Sequence, residues 1–203
     1  MSWAYCTVVL LASYVVGSLP SGVIVARMHG VNILSCGSGS SGATNVKRSV
    51  GSRAGYAVFL LDFFKGLVPS LLGLKMAFHG NIPGMRMAML ALVGVLLGHN
   101  FSLFCKFHGG KGIASTMGGI FIIMPKTLVI GVLVWLVLFH ATRIVSVASL
   151  CFAASIPLTA YLFAYPRECI IFALVLNLII FWSHGENIAR LASGTEHRFS
   201  IKN

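Results

Sequence analysis

The chain has 203 residues, of which 57% are hydrophobic and only 9% are charged, whereas a soluble domain carries about 25% charged residues. Together with a mean hydropathy of +0.91, this composition predicts an integral membrane protein and excludes an ordinary soluble domain. The formal net charge is +11. No segment is suited to a soluble nucleic-acid-binding module, so nucleic acid is not expected as a partner. We assign the positive charge to loops that face the cytoplasm and anionic lipid, and it also suits an anionic substrate.

Apolar segments of the length that crosses a bilayer, about 17–25 residues, recur along the chain. A signal peptide would have a basic segment before its apolar run. The first apolar segment has none, so it is interpreted as a span. We predict an all-α bundle of about seven transmembrane helices in a single domain, residues 1–203. The predicted spans are Tyr5–Ala26, Tyr56–Phe78, Arg86–Phe104, Ile113–Met124, Leu128–Ala141, Ile144–Tyr165 and Cys169–Ser183. The fourth and fifth are short and separated by Pro125, so six spans are also possible.

The distribution of Lys and Arg predicts the orientation, because cytoplasmic loops are enriched in these residues. With the N-terminus outside and the C-terminus in the cytoplasm, eleven basic residues fall on the inner face. The other four basic residues fall on the outer face: Lys75, Arg86, Lys126 and Arg167. All the polar, glycine-rich segments then lie on the cytoplasmic side.

The first of these segments, NILSCGSGSSGATNVKRSVG, covers residues 32–51. Gly37, Gly39 and Gly42 spell G-x-G-x-x-G, but no strand precedes them, so a dinucleotide fold is not predicted. Glycines still allow backbone N–H groups to approach an anion, and a following helix adds a positive dipole. Arg48 can bind a phosphate with two parallel hydrogen bonds. We interpret the segment as an anion cradle; the alternative is a flexible Gly/Ser linker.

The second segment, GHNFSLFCKFHGGKGIAS, covers residues 98–115 and places glycines around Lys111. It does not satisfy the Walker A pattern. Lys111 would act as a point charge for phosphate, or alternatively as an ordinary juxtamembrane anchor. His99 lies near the end of an apolar run. It could be an interfacial histidine with its hydrogen bonds satisfied, but the polar pair that it forms with Asn100 at membrane depth favours a functional role.

The third segment, HGENIARLASGTEHRF, covers residues 184–199. In a helix, His184 and Asn187 share a face, and Glu186 can pair with Arg190 four positions on. The alternative is an amphipathic tail on the inner membrane surface.

Charged and polar residues at the ends of other spans are weaker indications of a functional site. Asp62 and Lys65 lie in the apolar run LLDFFKG and are interpreted as structural charges near the inner boundary, because unpaired charges at that depth are costly. Arg143 and Ser146 lie in TRIVSVAS and are expected on the same face.

Some catalytic chemistries are not expected from this sequence. Four acidic residues in the whole chain provide no cluster for Mg²⁺, so neither a metal nor any other cofactor is predicted. Five cysteines without C-x-x-C spacing indicate neither disulfides nor a zinc site. The H-x-x-x-x-D pattern that serves one class of acyltransferases is missing too, since Phe104 stands five positions after His99.

Taken together and in this order, the three glycine-containing segments resemble the signature segments of the bacterial acyl-phosphate:glycerol-3-phosphate acyltransferases, the PlsY type. LLDFFKG resembles a fourth feature of that family. The resemblance implies a seven-helix enzyme of the bacterial inner membrane with a cytoplasmic active site. It also implies the reaction: a fatty acyl group moves from acyl phosphate to the 1-hydroxyl of glycerol 3-phosphate, giving lysophosphatidic acid and phosphate without a metal or acyl-enzyme. The enzyme that makes acyl phosphate is a possible partner.

The resemblance also implies roles for individual residues. It gives catalytic or phosphate-binding roles to Ser38, Arg48, His99 and Lys111. It implies substrate-binding roles for Gly37, Gly39, Gly42, Thr44, Asn45, Gly109, Gly110, Gly112, Ser146, His184 and Asn187. The last three correspond to the glycerol 3-phosphate site. The chain departs from the family pattern at Ser40-Ser41, where family members often have Asn-Ile or Asn-Val, and at His108, where they usually have Lys.

From the residues alone, the general base stays open between His99, His184 and a phosphate oxygen of the substrate. Two other functions were considered. An organic-phosphate transporter would need polar residues along its spans, and Asn177 is an isolated example. A non-catalytic scaffold would leave three phosphate-type segments on one face without a purpose.

Overall fold

The computed structural model describes residues 2–76 and 83–199. Within these ranges the chain is helical and contains no strand, as an all-α membrane protein requires. The α-helices are α1 (Ser2–Ser18), α2 (Ser21–Met28), α3 (Ala43–Ser49), α4 (Ser52–Lys75), α5 (Gly84–Asn100), α6 (Ile113–Ile123), α7 (Pro125–Thr142), α8 (Val145–Leu162), α9 (Arg167–Ser183) and α10 (Gly185–Ala192).

Five stretches among the described residues are long and apolar enough to cross a membrane. They are Trp3–Met28, Ser52–Lys75, Gly84–Cys105, Pro125–Thr142 and Val145–Leu162. Helices α9 and α10 are bent by 62° at their junction and would add a sixth span if they form one broken helix. Helix α6 has 11 residues, fewer than the roughly 17 that a perpendicular crossing needs. The structure therefore supports five or six of the seven predicted spans by length.

The ends of the predicted spans agree with the helices to different degrees. The break at Pro125 is confirmed, because α6 ends at Ile123 and α7 begins with the proline itself. Helix α7 is longer than the predicted fifth span, since proline is favoured in a first turn. The predicted end of the second span, Phe78, lies outside the described residues.

The described chain forms two compact units, Met1–Ile123 and Met124–Asn203. In the first unit, α5 is central and packs against α1, α4 and α6. The middle of α5 is fully buried at Leu92, Val95 and Leu96. This unit carries both of the first two glycine-rich segments.

Small residues allow the helices of the first unit to approach closely. A Cβ atom on Gly98 of α5 would overlap the backbone oxygen of Tyr14 in α1, and one on Gly66 of α4 would overlap that of Ser115 in α6. Without water to drive association inside a bilayer, such backbone contacts are a main source of helix–helix attraction.

In the second unit, α8 packs against α7 and α9, and α10 contacts α9. The segment after α10 returns to the start of α8, where the Phe199 N–H donates to the Arg143 carbonyl at 2.9 Å. The Phe199 ring also packs edge-on against Phe139, with ring centroids 5.9 Å apart. These contacts position the third polar segment.

Large apolar side chains point outward along the long helices of both units. Val8 of α1, Val137 of α7 and Leu178 of α9 are 59%, 67% and 69% exposed. A lipid environment satisfies such surfaces, whereas water would not. The outward apolar faces agree with the prediction of an integral membrane protein.

Candidate active site

Asn45 organises the first glycine-rich segment. Its side-chain oxygen accepts the Ser38 N–H at 3.1 Å. Its amide nitrogen donates to three backbone carbonyls, those of Ile33, Cys36 and Ser40, at 3.3, 2.9 and 2.9 Å. With 2% of its surface exposed, Asn45 is the internal support of the loop. Its predicted direct contact with substrate stays a prediction.

The glycines of this loop mainly shape it. Gly37 and Gly39 have φ angles of 57° and 66°, which side-chain-bearing residues rarely adopt. A Cβ on Gly37 would also overlap the Asn45 side-chain oxygen.

Several backbone N–H groups of the first loop are engaged inside the protein. The acceptors are the Asn45 side chain for Ser38, the Cys36 carbonyl for Gly39 and the Ser40 hydroxyl for Gly42. The expected anion contacts therefore fall to side chains and the remaining N–H groups.

The second glycine-rich segment is folded over His99, at the end of α5. The Gly110 N–H donates to the His99 carbonyl at 3.0 Å. A Cβ on Gly110 would overlap Nε2 of the His99 ring, so the imidazole lies directly against the loop. The Ser41 N–H reaches the Gly109 carbonyl at 3.5 Å. The two glycine-rich segments of the first unit are thus in contact, as a shared substrate-binding surface requires.

The predicted cations of these segments are accessible. Arg48 is exposed in the last turn of α3, and Lys111 is half-buried just before α6. Ser38 and Thr44 are likewise partly exposed. These side chains can reach a ligand while the glycines and Asn45 hold the backbone.

A buried polar cluster lies behind His99. Lys65 Nζ is 2.7 Å from Asp62 Oδ1, and His99 Nδ1 is 3.8 Å from the same oxygen. The Ser21 hydroxyl donates to this carboxylate oxygen, and Lys65 also donates to the Leu19 carbonyl at 2.7 Å. Asp62 and Lys65, which were interpreted as structural charges, pair with each other, and Lys65 also reaches the turn between α1 and α2. Sequence reasoning missed the proximity of Asp62 to His99, because it depends on how α4 packs on α5.

In the second unit, His184 and Asn187 are both buried at the α9–α10 junction. His184 Nδ1 lies 2.8 Å from the Ile180 carbonyl. Since a carbonyl only accepts, Nδ1 carries the proton in the neutral ring and Nε2 is the acceptor. This nitrogen is suited to receive a hydrogen bond from a hydroxyl.

Glu196 joins the polar residues of the second unit. Its two oxygens accept hydrogen bonds from Asn187 Nδ2 at 2.7 Å and Arg190 Nε at 2.8 Å. The predicted Glu186–Arg190 pair is confirmed at 3.6 Å, but Glu186 is 79% exposed and Glu196 is the closer partner. Sequence spacing did not indicate Glu196, because it follows the end of α10 and returns through an irregular segment.

The surroundings of Glu196 favour its charged form. Burial alone raises the pKa of this carboxyl, but hydrogen bonds from Asn187 and Arg190, together with the Arg190 charge, lower the pKa below its ordinary value. The Ser146 hydroxyl lies close enough to add to this lowering, although its oxygen completes no hydrogen bond among the described residues. Ser146 therefore retains hydrogen-bonding capacity for a ligand.

Glu196→Gln is expected to lower the melting temperature in detergent at pH 7 by a few degrees. The charge-assisted bond to Arg190 contributes about 2 kcal/mol, and 1 kcal/mol corresponds to about 2–4 °C at this size. Because folding lowers the pKa of Glu196, the stabilisation is present above the unfolded pKa of about 4.3 and disappears as pH falls through the lower folded value. The advantage of the wild type over Glu196→Gln should therefore decrease as the pH falls below about 4.3.

Thermal unfolding of both proteins across this pH range measures the difference. The exposed carboxylate Glu186 provides the control, and Glu186→Gln should change the melting temperature little at any pH. A constant difference between wild type and Glu196→Gln down to pH 3 would contradict the assigned ion pair.

The structure brings the predicted site residues together in two groups. Arg48, Lys111, Ser38, His99 and the glycines belong to the first unit, and Ser146, His184 and Asn187 belong to the second. Within each unit, residues distant in sequence are neighbours, as the contacts of Gly109 and of Glu196 illustrate.

Comparison with known proteins gives one consistent result. The model of the glycerol-3-phosphate acyltransferase family matches residues 7–194. A glycerol-3-phosphate acyltransferase of Aquifex aeolicus (strain VF5) is 38% identical over 190 residues, which cover 94% of this chain and 97% of the relative. One of Desulforudis audaxviator (strain MP104C) is 38% identical over 203 residues, 100% of both chains.

A solved structure agrees with these relatives. The crystal structure of PlsY (YgiH), an integral membrane glycerol 3-phosphate acyltransferase, in its glycerol 3-phosphate form, matches with a TM-score of 0.89 and 35% sequence identity. The match covers 97% of this chain and 96% of that one. The segments that suggested the resemblance lie within the length matched by the Desulforudis relative, and the chain belongs to the glycerol-3-phosphate acyltransferase family of the PlsY type.

Proposed function

We propose that this protein transfers a fatty acyl group from acyl phosphate to the 1-hydroxyl of glycerol 3-phosphate. The products are lysophosphatidic acid and inorganic phosphate, in the first step of phospholipid synthesis. The observation that carries the proposal is the contact between the two glycine-rich segments, with the cations Arg48 and Lys111 in a membrane-spanning unit. Two solved structures of the similar PlsY are described as its glycerol 3-phosphate form and its lysophosphatidic acid form.

The reaction is a direct attack. The 1-oxygen of glycerol 3-phosphate forms a bond to the acyl carbonyl carbon, and the bond from that carbon to the phosphate oxygen breaks. Lys111 and Arg48 stabilise the negative charge that develops on the carbonyl and on the departing phosphate. Phosphate is a good leaving group, so no acyl-enzyme is needed. A trapped acyl-Ser38 in mass spectrometry would instead establish a covalent route.

In the second unit, Ser146, His184 and Asn187 bind glycerol 3-phosphate. Glu196 holds the Asn187 amide nitrogen at 2.7 Å, so the position of Asn187 is set before substrate arrives, which lowers the entropy cost of binding. The hydroxyl proton passes to His99, to His184 or to a phosphate oxygen of the substrate. Because His184 presents an acceptor at Nε2, it can take part in either binding or proton transfer.

The acyl chain requires an apolar surface near the phosphate-binding loops. A cleft of about 550 Å³ in the first unit is lined in part by residues of both glycine-rich segments, including Leu34 and Phe104. Its walls also include Leu19, Val23 and Ile24. We assign the acyl chain to this cleft because most of its lining is apolar and continuous in sequence with both loops, while Arg27, Asn32 and Lys106 are the polar residues of its walls.

The proposal includes the orientation predicted from charge, with the N-terminus outside and the active site on the cytoplasmic face of the bacterial inner membrane. The eleven-to-four distribution of basic residues supports it. It also includes one catalytic domain over residues 1–203, and access to acyl phosphate through contact with the enzyme that makes it.

A phosphate-release assay on purified protein tests the reaction. Palmitoyl phosphate is supplied with and without glycerol 3-phosphate in the presence of EDTA, and products are identified by mass spectrometry. The expected result is phosphate release that depends on glycerol 3-phosphate, survives EDTA and yields lysophosphatidic acid.

Two results would contradict the proposal. The first is absence of release together with accumulation of labelled glycerol 3-phosphate in proteoliposomes, which would indicate a transporter. The second is release that stops in EDTA and recovers with added Mg²⁺, which would contradict the metal-free reaction.

A further inference from the structure

Four polar side chains from three helices of the first unit are buried together: Ser21 of α2, Asp62 and Lys65 of α4, and His99 of α5. Asp62 is 2% exposed. A buried carboxylate requires a counter-charge or several hydrogen bonds. Asp62 obtains both, from Lys65 and from the Ser21 hydroxyl.

The Asp62–Lys65 pair explains part of this arrangement as an anchor. Lys65 donates to the Leu19 carbonyl at 2.7 Å and to the Ser21 hydroxyl at 3.2 Å. These contacts hold the turn between α1 and α2 against α4. A purely structural pair needs nothing more.

His99 extends the cluster to the phosphate-binding loop. Its Nδ1 lies 3.8 Å from the Asp62 oxygen that Lys65 binds. The opposite side of its ring, at Nε2, lies against Gly110, whose N–H donates to the His99 carbonyl. The imidazole therefore separates the buried carboxylate from the glycines that precede Lys111.

We propose that Asp62 is a positioning residue for acyl transfer: through His99 it holds the second glycine-rich loop, and with it Lys111, in the arrangement used for catalysis. This inference rests on the proposed function. Asp62 does not touch substrate, so its loss should lower kcat more than it raises KM. Lys65 supplies the counter-charge for this carboxylate.

A double-mutant cycle between Asp62 and His99 tests the inference. Asp62→Asn and His99→Gln are each expected to lower kcat by about 50-fold or more, with the KM of both substrates changing less than about 3-fold. Because Asp62 acts through His99, adding Asp62→Asn to His99→Gln should lower kcat by no more than a further factor of about 3. Multiplicative losses, or a normal kcat in either single variant, would overturn the inference.

Asp62→Asn leaves Lys65 without its counter-charge and can fail to fold. The double variant Asp62→Asn/Lys65→Met removes both charges, so its activity still tests the inference if Asp62→Asn alone does not fold. If the pair is only an anchor, this variant should recover kcat to within about 3-fold of wild type, which would overturn the inference. A persistent loss with a wild-type melting temperature supports it. Glu168→Gln, the same carboxylate-to-amide change in α9, serves as the control with normal kcat.

Hydrogen exchange provides a measurement independent of activity. The Gly110 N–H is protected by its bond to the His99 carbonyl. In Asp62→Asn/Lys65→Met, exchange at residues 109–112 should be about tenfold faster or more, while exchange in α8 is unchanged. Unchanged exchange at residues 109–112 would overturn the inference even if the protein is an active acyltransferase. If the wild-type protein catalyses no acyl transfer, the proposed function is overturned, and this inference is overturned with it.

Discussion

Lys111→Met and Arg48→Gln are each expected to lower turnover of palmitoyl phosphate and glycerol 3-phosphate by about 10²–10³-fold, the usual effect of removing one donor from a charge-stabilising site. Arg48 is exposed and Lys111 is half-buried. Both cations can therefore stabilise the negative charge that develops first on the carbonyl oxygen and then on the departing phosphate. Arg48→Lys keeps the charge but loses the forked geometry, so we expect an intermediate loss. Steady-state kinetics on purified protein give kcat and KM for each variant.

Controls for these variants are present on α4. Lys75 is exposed in the last turn of this helix, and Arg53 is exposed in its first turn. Lys75→Met and Arg53→Gln remove the same kinds of charge outside the two loops and should retain turnover within about threefold. Near-normal turnover in Lys111→Met or Arg48→Gln would contradict the proposed roles. Equal losses in variants and controls would indicate a general dependence on positive charge rather than a specific one.

Asn45→Asp is expected to have the second largest effect. The change is nearly isosteric, but it removes the amide donors that hold three carbonyls of the first loop. At about 1 kcal/mol for each lost bond, the loop loses about 3 kcal/mol, and a carboxylate would then face those carbonyl oxygens. Turnover should fall by about 100-fold or more, because the loop that carries Ser38 no longer holds its conformation.

Ser35→Asp is the control, since it places a carboxylate at an exposed position of the same segment. It should retain turnover and melting temperature. If Asn45→Asp keeps normal kcat with only an increased KM for acyl phosphate, Asn45 contacts the substrate instead of supporting the loop. Kinetics with both substrates varied, together with hydrogen exchange of residues 36–42, distinguish these outcomes.

The sequence allowed the helices and most site segments to be predicted, for physical reasons that are local. Apolar length predicted the helices, and Pro125 predicted the break before α7, because both act over one or two turns. The glycine-rich segments were visible because they interrupt an apolar pattern.

The parts that escaped prediction depend on packing between distant segments. The Asp62–His99 contact joins α4 to α5, and the Asn187–Glu196 bond joins α10 to the segment that follows it. No spacing rule relates Asp62 to His99. Asn45 was predicted as a substrate ligand from the family pattern, and only its four contacts identified it as the support of its loop.

The close helix contacts of the first unit also determine which changes the protein tolerates. At Gly98 and Gly66 the neighbouring backbones leave no room for one methyl group. In a soluble core, the most damaging substitutions are those that shorten large side chains and leave cavities. At the α1–α5 and α4–α6 contacts the opposite holds, and substitutions that enlarge the side chain are the damaging ones. Substitution of either glycine should therefore be damaging even when it adds a single methyl group, while the lipid-facing surfaces can exchange one apolar side chain for another.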